Sequence, residues 1–410
     1  MGYSAHVGSF NLTTGAGGTT QEISDCGFEP KIVMFWWGGG HTTGDEVVAD
    51  SIAFGFGAAI DSTHRFQITN ASADAAATSA TYRSMTADYC IEIRGTAGAV
   101  LGCIDFSSMD ADGFTLVVDV QCTSDWRIYY LALGGTDLTN VYIGSQAMAV
   151  SAGNYNVTGV GFQPDAVITA SYWYTSVSNG VGIYFTLGMA TGASNQGVVY
   201  GESLNAQATS DTKGYGYNGE ILASRQAGFR DAFVSFGADG FTLNHLEGAT
   251  AHLFNYICLK GGQYSVGDLT TRTDGNDIEE NLGFQPAAIL FASANRALST
   301  QDTPTDNMRL SIGAATATDH RACIAVSDED NLADSETAYA NYDSAVYAHV
   351  VDDATVGLMD IKSIEADGFT CVMDDTDPSG CWVTYLAIGA AATGTTQPPR
   401  SMHLHRMRLS

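Results

Sequence analysis

Lysine is almost missing from this 410-residue chain, with 4 beside 13 arginines. Glutamate is also scarce, with 12 against 33 aspartates. Lys and Glu favour helices while Asp favours turns, so this balance argues against a helical protein. Basic charge is the largest deficit. Seventeen basic residues face 45 acidic ones, a formal charge of −28. A phosphate backbone would be repelled, which excludes a nucleic-acid binder of the basic-groove kind. No run approaches 18 uninterrupted apolar residues, so no helical span is predicted and no membrane is expected as a partner. The first ten residues lack a basic segment followed by an apolar run, so no export signal is expected. None of the eight cysteines forms a Cys-x-x-Cys pair, so spacing predicts no structural zinc site.

What is present is a filled core and many turns. Hydrophobic residues make up 45% of the chain, and there are 46 glycines but only 7 prolines. Two cysteine pairs, Cys90 with Cys103 and Cys371 with Cys381, stand at hairpin-like spacing. Each pair has a cross-strand disulfide as one reading; free buried thiols are the reading preferred for a chain without an export signal.

Internal repeats organise everything else. Gly-Phe-x-Pro occurs at Gly27, Gly161 and Gly283, each time followed by an apolar run. Asp-Gly-Phe-Thr occurs at Asp112, Asp239 and Asp367, spaced by 127 and 128 residues. A third marker follows: Tyr130-Leu131-Ala132-Leu133, Tyr256-Ile257-Cys258-Leu259 and Tyr385-Leu386-Ala387-Ile388. The openings correspond too, as His6-Val7-Gly8-Ser9, Tyr142-Ile143-Gly144-Ser145 and the more divergent Ser265-Val266-Gly267-Asp268. The order predicts three modules at about 1–139, 140–261 and 262–391, with an arm over 392–410. Each is long enough to bury its own core, as tandem domains would.

The modules read as all-β. Phe114, Leu116, Val118 and Val120 share one face of a strand with period two. The Asp-Gly before it predicts a tight turn in which Gly accepts positive φ. Ile32 to Phe35 is apolar on both faces, as in a strand covered on both sides. The Ala-rich stretch Asp74 to Met85 is the one candidate helix. Many strands with frequent turn signals predict β-sandwich or jelly-roll modules.

Gly161-Phe162-Gln163-Pro164-Asp165-Ala166-Val167 and Asp112-Gly113-Phe114-Thr115-Leu116 resemble modules of tailed-bacteriophage virion proteins. Those include tail fibres, tail-associated proteins and head-decoration proteins with lectin-like sandwich folds. The resemblance covers residues 1 to about 391. The third module departs most, with Ala287 in place of the Asp after Pro. The resemblance implies a virion component assembled in the host cytoplasm, with capsid or tail subunits and copies of itself as partners. It transfers no catalytic residue.

The chemistry in the sequence is thin. Gly-x-Ser-x-Gly, His-Glu-x-x-His and both phosphate-binding glycine fingerprints are absent. No enzyme and no cofactor is expected, although 45 carboxylates leave a glycan-cleaving pair as a third-ranked reading. Asp374, Asp375 and Asp377 gather carboxylates and are weak candidates for calcium. Trp36, Trp37 and His41 in the first module, and Tyr172, Trp173 and Tyr174 in the second, have no counterparts in the third. They are candidates for domain or subunit contacts, or for a platform that stacks on a host surface glycan in a carbohydrate-binding adhesin. The arm differs in kind. Arg400, Met402, Leu404, Arg406 and Arg408 give it basic charge and apolar anchors, on a body that carries −31 over its first 399 residues. Such an arm is a candidate docking element for an acidic neighbour. The leading expectation is a non-enzymatic phage structural protein, a head decoration or cement protein or a tail-fibre-associated one.

Overall fold

A computed structural model of the chain describes residues 2–392, other than 41, 45, 46, 173, 174, 176, 177 and 225–227. The described residues hold strands, turns and bends and no helix. The strands fall into three runs of eleven. The first is β1 (Tyr3–Asn11), β2 (Thr20–Ile23), β3 (Pro30–Gly38), β4 (Val47–Asp50), β5 (Ile52–Ala59), β6 (Arg65–Ser72), β7 (Thr81–Thr86), β8 (Ile91–Arg94), β9 (Val100–Asp110), β10 (Gly113–Val120) and β11 (Arg127–Gly135). The second is β12 (Asn140–Ala147), β13 (Gly153–Thr158), β14 (Ala166–Ser171), β15 (Ser178–Val181), β16 (Ile183–Gly192), β17 (Asn195–Ser203), β18 (Thr212–Tyr217), β19 (Leu222–Ser224), β20 (Phe229–Gly237), β21 (Gly240–Glu247) and β22 (Leu253–Lys260). The third is β23 (Gln263–Thr270), β24 (Ile278–Asn281), β25 (Pro286–Ser293), β26 (Thr305–Asp306), β27 (Met308–Ala317), β28 (His320–Asp328), β29 (Thr337–Tyr342), β30 (Tyr347–Val351), β31 (Ala354–Glu365), β32 (Gly368–Asp375) and β33 (Trp382–Gly389).

Each run makes a four-stranded sheet, ordered β2-β10-β9-β8, β13-β21-β20-β19 and β24-β32-β31-β30. Each also supplies six strands of a seven-stranded sheet whose last strand comes from another run. The orders are β1-β11-β3-β5-β6-β7-β15, β12-β22-β14-β16-β17-β18-β26 and β23-β33-β25-β27-β28-β29-β4. The second module thus lends a strand to the first, the third to the second, and the first to the third. The exchange closes a circle, so three similar modules are related head to tail.

The alternation along β3 explains the layers. Val33, Phe35 and Trp37 point into the sandwich of the first module, against Ile104, Phe114 and Leu116 of the small sheet. Ile32, Met34 and Trp36 point the other way, into a core shared with Ile168, Leu187 and Met189 of the second module and Leu290, Ile312 and Leu386 of the third. The expected strand covered on both sides is present, and its second cover is the other two modules. The second and third sandwiches have cores of their own as well.

The four sequence markers are one arrangement seen three times. Gly8, Gly144 and Gly267 lie opposite Tyr130, Tyr256 and Tyr385 in the strand register. A Cβ at any of these glycines would overlap the tyrosine ring. Each tyrosine receives the phenylalanine of Asp-Gly-Phe-Thr edge-on. Phe114–Tyr130, Phe241–Tyr256 and Phe369–Tyr385 have centroids 5.1, 5.4 and 5.1 Å apart at 81°, 82° and 88°. Such a pair contributes about 1 kcal/mol beyond its buried area. The Asp before it holds the Gly-Phe-x-Pro turn. The Cys26 and Gly27 N–H groups donate to the Asp112 carbonyl at 3.0 and 3.2 Å, and those of Leu282 and Gly283 to the Asp367 carbonyl at 2.7 and 2.9 Å. In the second module the Asp239 carboxylate accepts from the Gly159 and Gly161 N–H groups at 3.0 and 2.6 Å. The turn glycines Gly27, Gly161 and Gly283 have φ of 73°, 83° and 76°.

Two expectations need correction. Among the glycines of Asp-Gly-Phe-Thr, only Gly240 has positive φ. Gly113 and Gly368 are required for another reason: a Cβ there would overlap the Ile23 or Glu280 carbonyl of the neighbouring strand. The Asp74 to Met85 stretch is a loop running into β7, whose Thr81 to Thr86 pair with β6. Its helix-favouring alanines yield to the edge of a sheet and to hydrogen bonds from another module.

Candidate functional site

The aromatic candidates among the described residues, Trp36, Trp37 and Tyr172, are buried. Trp36 and Trp37 are both 0% exposed. Trp36 lies in the shared core, stacked on Tyr129 at 6.3 Å. Trp37 fills the sandwich against Gly55, where a Cβ would overlap its ring. Tyr172 is buried in the shared core, with the Arg83 guanidinium of the first module 5.5 Å from its ring centroid. No ring face of these three is open to a sugar, because core packing covers both sides. Tyr172 touches the first module through Arg83, and Trp36 belongs to the core that all three modules share. His41, Trp173, Tyr174 and the arm residues Arg400, Met402, Leu404, Arg406 and Arg408 lie outside the described residues. The Asp cluster is split: Asp374 and Asp375 are exposed, whereas Asp377 is buried. All eight cysteines are free and buried, so neither hairpin-spaced pair is a disulfide.

The arrangement that carries assembly chemistry is the junction where the modules meet. Three equivalent loops, 73–80, 204–211 and 329–336, join β6 to β7, β17 to β18 and β28 to β29. Each loop clasps the next. The Ser79 N–H donates to the Gln207 carbonyl at 3.0 Å and the Ala206 N–H returns to the Ser79 carbonyl at 2.8 Å. Ser210 and Leu332 with Asn331 repeat this at 2.9 and 2.8 Å, and Ser335 and Ala76 with Ala75 at 3.0 and 2.7 Å. The residue that reaches across is left-handed each time, with φ of 50° at Ala75, 59° at Ala206 and 61° at Asn331. Holding a non-glycine residue there costs on the order of 1 kcal/mol, which the intermodule bonds offset.

The side chains follow the same cycle. The Ser79 hydroxyl donates to the Leu204 carbonyl at 2.7 Å, and that of Ser335 to the Ala73 carbonyl at 2.6 Å. The Leu332 N–H donates to the Ser210 hydroxyl at 2.9 Å. Asn205, Asp330 and Asp74 accept from the Thr81, Thr212 and Thr337 N–H groups at 2.9, 2.7 and 2.8 Å. Backbone groups that a sheet end would leave bare are therefore satisfied from the next module.

One position breaks the symmetry. β6, β17 and β28 end on Ser72, Ser203 and Asp328. Ser72 donates to the Asp328 carboxyl at 3.2 Å, and Ser203 also bonds it. Asp328 is fully buried. Burial pushes its carboxyl up to about 7, held back by the two serine hydroxyls and aided by the charges of Glu329 and Asp74.

Sequence reading did not pick out these residues. The signal was there: Asp74, Asn205 and Asp330 each precede a serine by five positions and a threonine by seven.

No family model matches the chain, and no curated protein matches it. Among solved structures, the chain aligns with OmpF from Salmonella typhi in complex with daunomycin. The alignment covers 88% of this chain and 98% of that one at 10% identity, with a TM-score of 0.11. A score this low carries no argument about fold or function.

Proposed function

We propose that this protein is a non-enzymatic structural component of a tailed-phage particle that acts as a single-chain threefold block. The observation that carries the reading is the closed exchange of β4, β15 and β26 among three like modules. A ring closed by strand pairing, loop clasps and a common core presents three similar outer faces at fixed angles. Such a block matches three like neighbours around a local threefold of a shell, which favours a head decoration or cement role over a tail-fibre one. The eight free, buried thiols suit assembly in a reducing host cytoplasm. The basic arm is the proposed tether to an acidic capsid or tail subunit, and copies of the chain are the other proposed neighbours. The adhesin alternative loses support, since two of its three tryptophan candidates are core residues.

Mass spectrometry and cryo-electron microscopy of purified particles test this. The chain should be a stoichiometric particle component, one copy per threefold position. Its absence from intact particles would sink the proposal. Deleting residues 398–410 should abolish incorporation while leaving the circular dichroism of the free protein unchanged.

A further inference from the structure

One buried polar cluster plays no part in the junction. His349 lies on β30, and Asp377 and Cys381 flank the turn between β32 and β33. They are 1%, 0% and 0% exposed. Their ligand-type atoms all lie within 4.8 Å of one another, and they form the one such group among the described residues. His349 Nδ1 is 3.2 Å from Asp377 Oδ1, and Cys381 Sγ is 3.7 Å from His349 Nδ1. Zinc with its usual bond lengths in tetrahedral geometry sets these edges at about 3.3 Å for N to O and about 3.6 Å for S to N. The cluster has the spacing of ligands around one small ion.

The ligands are also aimed. The Ser379 N–H donates to Asp377 Oδ1 at 2.9 Å, and the Tyr347 hydroxyl to Asp377 Oδ2 at 2.7 Å. The Cys381 N–H donates to Thr271 Oγ1 at 2.6 Å. Such outer bonds hold metal ligands in place.

The first module supplies an internal control. His349 pairs with Gly357 and Ile93 with Gly102, and these glycines are equivalent. A Cβ on Gly357 would meet Asp377, and one on Gly102 would meet Cys122. The Cys381 carbonyl accepts from Thr271 as the Trp126 carbonyl does from Leu12, both at 2.8 Å. The first module thus fills the same three places with Ile93, Cys122 and Trp126, all part of its apolar core. The fold does not need a polar cluster there. A buried His–Asp pair has no stability advantage over well-packed apolar groups.

We infer that His349, Asp377 and Cys381 bind a structural zinc ion, with the Tyr347 hydroxyl beside the fourth position. Thiolate with imidazole and carboxylate is a zinc-type donor set. The thiolate and carboxylate carry −2 together, which cancels the ion's charge, so binding adds no net buried charge. The Sγ–H proton leaves to solvent as the sulfur–zinc bond forms. His349 coordinates as the neutral ring, its proton on Nε2. That nitrogen meets no partner among the described residues, which places the affinity below that of sites with a complete outer shell.

The test uses the full-length chain, stripped with a chelator and reloaded with zinc or cobalt(II). Wild type should hold one zinc per chain by elemental mass spectrometry and melt at higher temperature when loaded. Cobalt should give a sulfur-to-metal charge-transfer band. Cys381→Ser should lose that band, Asp377→Asn should bind zinc at least tenfold more weakly, and Asp374→Asn should match wild type. Retention of no zinc by wild type, or equal binding by Cys381→Ser and Asp377→Asn, would overturn the inference. If the variants do not fold by circular dichroism, wild type decides alone: a melting temperature unmoved by stripping and reloading, with no cobalt band, refutes the site.

Discussion

Asp328 shows how one residue can set the response of a threefold junction to pH. Its carboxyl lies between two serines, with a folded value of about 7 against an ordinary 3.8. A raised carboxyl binds its proton more tightly in the folded chain than in the unfolded one. Its favourable contribution is therefore complete below pH ~4 and is lost as pH rises toward ~7. A shift of this size corresponds to roughly 4 kcal/mol. Asp328→Asn keeps the shape and cannot ionise. In urea denaturation the variant should match wild type near pH ~3 to 4 and exceed it by a few kcal/mol at pH ~8. Asp328→Ser, which copies the other two modules, should flatten the profile in the same way. Parallel profiles for wild type and variants would remove Asp328 from the account. The same scale explains the tryptophans. Trp36 and Trp37 lack counterparts in the other modules, yet each is enclosed by neighbours peculiar to the first one, such as Tyr129 and Gly55. A side chain peculiar to one module signals a local packing solution as readily as an exposed contact.

At the scale of elements, legibility depended on how local each pattern is. Gly-Phe-x-Pro, Asp-Gly-Phe-Thr and the Tyr strand could be read because each is a short run under tight steric demand. Their mutual contacts then repeat with them. The lent strands could not be read. β15 and β26 are Ser178–Val181 and Thr305–Asp306, too short and polar to show a period of two. The His349 cluster gathers residues from separate elements, so no spacing rule applied to it. Of the Asp cluster singled out in sequence, only Asp377 belongs, with partners no motif supplied. The lent strands matter because β7, β18 and β29 would otherwise be open edges that pair with foreign strands. Replacing residues 178–181 with a Gly-Ser linker removes the partner of Tyr82 to Met85 on β7. The variant should melt several degrees lower and form concentration-dependent oligomers by analytical ultracentrifugation. A monodisperse variant with unchanged melting would show that β15 is dispensable.

At the scale of the whole molecule, the modules are not separable beads. Each seven-stranded sheet buries one face in its own sandwich and the other in the shared core. The tandem pattern in the sequence carries no sign of the shared core, because an apolar face does not reveal whose residues will cover it. The chain should unfold in one calorimetric transition, with equal calorimetric and van't Hoff enthalpies. Residues 140–261 expressed alone should bind hydrophobic dyes and self-associate, since Ile168, Leu187 and Met189 lose their cover. Three resolved transitions, or a soluble monomeric fragment, would contradict the shared core. The circular lending also imposes an order in time. β15 and β26 meet partners that have already left the ribosome. β4 does not, because Ala338 follows its partner Asp50 by 288 positions. At ~5–20 residues per second, roughly 15 to 60 s separate the two during synthesis. The first strand to be lent is thus the last to be received, and no nascent fragment can close the ring early.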